Sequence, residues 1–100
     1  MVVSSQDKIA NLEQERANIE DELKAINDSL EYLESSQLKY DGQINSIERK
    51  SLRNELDVKE ELFLKKTRDD IIDRISNLSK LRLVKVARVD KINEELKRLY

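Results

Sequence analysis

The sequence predicts an all-α protein of long helices that pair as a coiled coil, and three observations carry that prediction. From Ile9 to Ile47 apolar residues recur with a period near 3.5, with Ile9, Leu23, Leu30 and Ile44 at heptad position a and Leu12, Ile19, Ile26, Leu33, Tyr40 and Ile47 at d. In the last third Ile71, Ile75, Leu78, Val89, Ile92, Leu96 and Leu99 take up the same spacing. The composition, with no Pro, one Gly and 40% charged residues, describes helices of high polarity. Ten of the twelve a and d positions of the first seam are apolar, against five of its 27 other positions. A stripe that narrow is buried only against a facing helix.

In chain order, residues 1–4 read as a disordered start. Ser4 with Asp7 three residues later fits a loose capping box, so the first helix begins near Ser5. The heptad helix then occupies residues 5–47. It is expected to pass through Gly42, because Tyr40, Ile44 and Ile47 keep their spacing across it and Gly42 falls at the outermost position f. A Gly there costs only about 1 kcal/mol relative to Ala. Two a positions are polar, Arg16 and Gln37. An Arg at a either fixes register and strand number or lays its stem along the seam and carries its charge to water.

After Ile47 the frame is lost, and residues 48–70 read as a helical stretch with a register break or kink. Ile47 and Ile71 are 24 residues apart, three heptads plus three, and Thr67-Arg68-Asp69-Asp70 resembles a fresh helix start. Residues 71–100 form the second heptad segment, interrupted only by Arg82 and Lys85. Between Leu81 and Val89 several strand-forming residues occur, but their alternation slips at Leu83-Val84, so helix is expected there too.

Charge sets the expected strand direction. Residues 1–40 carry four basic and nine acidic side chains, whereas residues 71–100 carry eight and four. Antiparallel pairing of the first third with the last matches opposite signs, which favours an antiparallel homodimer of nearly continuous helices. A parallel dimeric coiled coil and a helical hairpin turning near Lys50-Ser51 or near Asn54 are the alternatives. Two antiparallel alignments are available, with paired residue numbers summing to 101 or to 108. The first brings Lys8 near Glu95 and Glu15 near Arg88 but sets Arg16 against Lys85. The second sets Ile9 on Leu99, Ile19 on Val89, Ile44 on Leu64 and Arg16 on Ile92, but it sets Leu23 on Lys85 and Ile26 on Arg82 and brings Glu15 towards Glu95.

The same residues bound the function. Without His or Cys the chain lacks the usual general base, the commonest metal ligands and any disulfide, so no cofactor, metal or catalytic activity is expected. No apolar run exceeds three residues, which predicts no membrane span, and Met1-Val2-Val3-Ser4-Ser5 does not resemble a signal peptide; an intracellular protein is expected. The reading is a structural or scaffolding coiled coil, of the kind found in cytoskeletal or kinetochore assemblies. It is expected to self-associate and dock within a larger assembly, as a piece of a longer protein, with a heteromeric partner as the alternative to a homodimer. The seventeen seam residues named at the outset are its expected interface. The second reading is a nucleic-acid-binding arm using Lys80, Arg82, Lys85, Arg88, Lys91, Lys97 and Arg98, although these spread round the helix and acidic residues interrupt them.

Overall fold

A computed structural model describes residues 4–100. The protein is all-α: helix α1 spans Ser5–Glu48 and helix α2 spans Glu55–Leu99. The expected disordered start falls mostly on residues 1–3, outside the described residues. Ser4 is the N-cap of α1, its Oγ accepting the Asp7 amide hydrogen at 3.2 Å. Helix α1 runs unbroken through Gly42, where a Cβ would meet nothing within 4 Å. Helix α2 likewise runs unbroken through Leu81–Val89.

The break after Ile47 is a true connection over residues 49–54 and not a kink in a continuous helix. This corrects the nearly continuous helix; of the helical stretch with a register break or kink expected over residues 48–70, the part from Glu55 on is helix α2. The physical cause is the strength of the cap on α2. Asn54 Oδ1 accepts the Asp57 amide hydrogen at 2.8 Å, and Asp57 Oδ2 accepts the Asn54 amide hydrogen at 3.1 Å. Two orphan amides are thereby satisfied reciprocally, and neither Gly nor Pro is needed. On the other side α1 closes with the Lys50 amide bonded back to the Ile47 carbonyl at 3.2 Å, an i to i+3 tightening. Thr67, expected near a helix start, lies inside α2 and spends its hydroxyl on the Phe63 carbonyl at 2.9 Å.

The chain divides into two compact units. The paired unit joins Met1–Asp28 with Ser79–Tyr100, and the hairpin unit is Ser29–Leu78, which contains the connection. In the paired unit Ile19, Ile92 and Leu96 form the core, with Ile9, Leu12, Leu23 and Val89 packed around them. Ile92 is 0% exposed, and full burial of such a side chain contributes roughly 1.5–3 kcal/mol. In the hairpin unit the core is Ile44, Ile47 and Leu64 with Tyr40 against it, and Ile44 is 2% exposed.

Candidate functional site

The contacts between helix segments fix their direction and register. In the paired unit the Arg88 guanidinium donates to both carboxylate oxygens of Glu15, each at 2.8 Å, a bidentate pair between two g positions. That bond holds the Glu15 carboxyl below the usual carboxylate range and raises Arg88 further. Lys85 reaches Glu22, and the Tyr100 hydroxyl donates to Glu13, which pushes the phenol up. Arg16 Nη1 donates to Asn93 Oδ1 at 2.9 Å and Arg82 Nη1 to Asn27 Oδ1 at 3.4 Å.

These pairs run antiparallel within one chain. Most follow the alignment that sums near 108, with Ile44 clustered on Leu64 and Arg16 bonded to Asn93, whereas Glu15 with Arg88 is the pair expected of the alignment that sums to 101. The weaknesses of the 108 alignment are relieved by side-chain partners: Glu15, which would approach Glu95, turns to Arg88, Lys85 sends its ammonium to Glu22, and Arg82 donates to Asn27. Arg16 is half-buried and its head is held by Asn93, so its place at a is accommodated by a specific partner.

The hairpin unit is built differently. Extending the α2 frame backwards by heptads puts Asp57 and Leu64 at d and Glu61 and Arg68 at a. Asp57 and Glu61 are buried, so the frame continues through the stretch where it seemed lost, but with charged layers. Asp57 pairs with Lys50 at 2.7 Å. Glu61 pairs with Arg53, and also with Lys65 at 2.8 Å, and Lys65 reaches Glu48 at 3.3 Å. Arg68 pairs with Asp41 at 3.5 Å, while its buried Nε has no hydrogen-bond partner. The Lys50 ammonium, followed by the Asn54 amide, holds the Asp57 carboxyl low.

Of the seventeen seam residues, Ile19, Ile26, Leu30, Ile44, Ile47, Ile71, Ile92 and Leu96 are buried. Ile9, Leu12, Leu23, Leu33, Tyr40, Ile75, Leu78, Val89 and Leu99 are half-buried, and none is exposed. What the seam reading missed is the reverse side of α2. There Leu56, Leu62 and Phe63 stand 75%, 65% and 67% exposed, Val58 and Ile72 are open at the e positions beside the seam, and in the paired unit Leu83 and Val84 are open as well. The available signal was the coincidence of charged a and d positions with apolar residues outside the frame.

Among the described residues no group of His, Cys, Asp or Glu is arranged to hold a metal ion, and no helix is long and apolar enough to cross a membrane. Of the seven basic residues of a nucleic-acid arm, Arg82, Lys85 and Arg88 are engaged with α1 side chains. Comparison with family models, curated proteins and solved structures finds no match to this chain.

Proposed function

We propose that this protein is a non-catalytic helical scaffold that self-associates and docks within a larger intracellular assembly. The observation that supports the reading is the exposed apolar surface of α2. Two helices fill their mutual seam, yet Leu56, Leu62 and Phe63 of the hairpin unit, and separately Leu83 and Val84 of the paired unit, remain open to solvent. Neighbouring open apolar side chains mark surfaces that other chains cover. The cysteine-free composition suits a reducing compartment.

Light scattering over a range of concentrations tests the proposal. A mass of twice the 11.8 kDa chain is expected, with helical circular dichroism that strengthens on association. A single-chain mass at every concentration, with stable helix, would remove self-association from the reading.

A further inference from the structure

The hairpin unit has one acidic flank and one without net charge. On one flank lie the b and e positions of both helix segments. They carry Glu31, Glu34, Asp41, Glu48, Glu55 and Asp69 against Lys65 alone. The other flank is formed by the c and g positions. It carries Lys39 and Arg74 against Glu60 and Asp70, which cancel, and is otherwise uncharged, with Tyr32, Ser36, Gln43, Ser46 and Thr67 among its residues. Leu56 and Phe63, seven residues apart at c, stand on this neutral flank, and both are open. The contacts support the assignment of sides, since Glu48 and Lys65 meet as two e positions.

We infer that the neutral flank of the hairpin unit, centred on Leu56 and Phe63, is where a second copy of this chain docks. A symmetric dimer sets a surface against itself, so whatever net charge the surface carries is met by the same sign. The b and e flank would oppose acid with acid, whereas the c and g flank opposes a surface with no net charge. Area permits it. Leu56 and Phe63 leave on the order of 300 Å² of side chain open, within the range of the largest patch on an ordinary monomer. Two such patches face to face, with the polar side chains that rim them, reach the roughly 1,200 Å² at the lower end of stable interfaces.

This inference rests on the self-association proposed above, and the test separates the two. Sedimentation of the full chain is compared with that of Leu56→Glu/Phe63→Glu and of Leu62→Glu, which places one added charge on the acidic flank. The expected result is a dimer for the unaltered chain, at least a hundredfold weaker association for the double variant, and no more than a threefold change for Leu62→Glu. Circular dichroism checks that each variant keeps its helix, and the milder Leu56→Ser/Phe63→Ser pair, expected to weaken association at least tenfold, decides the matter if the charged pair unfolds. Raising salt from 50 to 500 mM should leave the affinity within about threefold, because no net charge is screened at a neutral interface. A dimer that survives both double variants, one equally weakened by Leu62→Glu, or one that tightens strongly with salt overturns the assignment while self-association stands. A single-chain mass for the unaltered protein removes both.

Discussion

The paired unit and the hairpin unit use the same heptad geometry with opposite materials. In the first, apolar layers such as Ile19, Ile92 and Leu96 sit inside, and charge is confined to flanking pairs such as Glu15 with Arg88. In the second, near the connection, Asp57 and Glu61 occupy the inner positions and Leu56, Leu62 and Phe63 face outwards. The contrast teaches that a helix can hold its register through charged layers when each charge has a partner close in sequence. Lys50 and Arg53 supply those partners from the connection itself. Such layers contribute little net stability, because desolvating the ions offsets most of their attraction. Stability and exposed apolar surface are therefore divided unequally between the units.

The largest expected effect tests where the stability lies. Ile92→Ala should cost about 2–5 kcal/mol, since the cavity opens in a core of three buried side chains that cannot easily collapse. Ile44→Ala should cost a similar amount in the hairpin unit. Urea unfolding followed by circular dichroism measures both, and a loss below 1 kcal/mol for Ile92→Ala would show that the paired unit does not depend on its apolar layers. Next in size, Glu61→Leu should raise stability by about 1 kcal/mol by converting a charged layer into an apolar one beside Leu64. Arg53 and Lys65 are both free enough to return to water once Glu61 is gone. Destabilisation instead would mean that the charged layer holds the connection together.

Smaller again is Gly42→Ala. The added methyl meets open space on an exposed helical face, so a gain of about 0.5–1 kcal/mol is expected from the loss of glycine's freedom in the unfolded chain. A rise in the thermal midpoint checks it, and no rise would mean that the helix around Gly42 is already strained.

Much of this architecture is legible in the residues. The first seam, the start at Ser4, the passage through Gly42 and the antiparallel direction all follow from period, capping and charge. The connection was harder to see because its signal is not a Gly or Pro but the reciprocal bonding of Asn54 and Asp57, which reads in sequence as ordinary polar residues. The frame of α2 was hidden for a related reason. A period defined by apolar residues cannot register layers built from Asp57, Glu61 and Arg68, and the apolar residues that were visible there belong to the outer face. An interface between copies is less legible still, because it depends on which flank is electrically neutral, and that emerges only when both helix segments are aligned.

The subtlest prediction concerns acid. Asp57 is held low by the Lys50 ammonium and the Asn54 amide, and Glu15 by Arg88. For a carboxyl whose folded value lies below its unfolded one, the stabilising contribution is fully present above the unfolded value, near about 4, and is lost as pH falls through the folded value. Neutralising each group in turn should divide the acid response between the two units. Asp57→Asn should remove the pH dependence of the Asn54 amide resonance while leaving that of Arg88 unchanged, and Glu15→Gln should do the reverse. Nuclear magnetic resonance titration between pH 6 and pH 2 reads both signals in one experiment. If Asp57→Asn also flattened the Arg88 response, the two units would have to be treated as one cooperative body, and the separation of charged layers from apolar ones would no longer describe how the molecule resists acid.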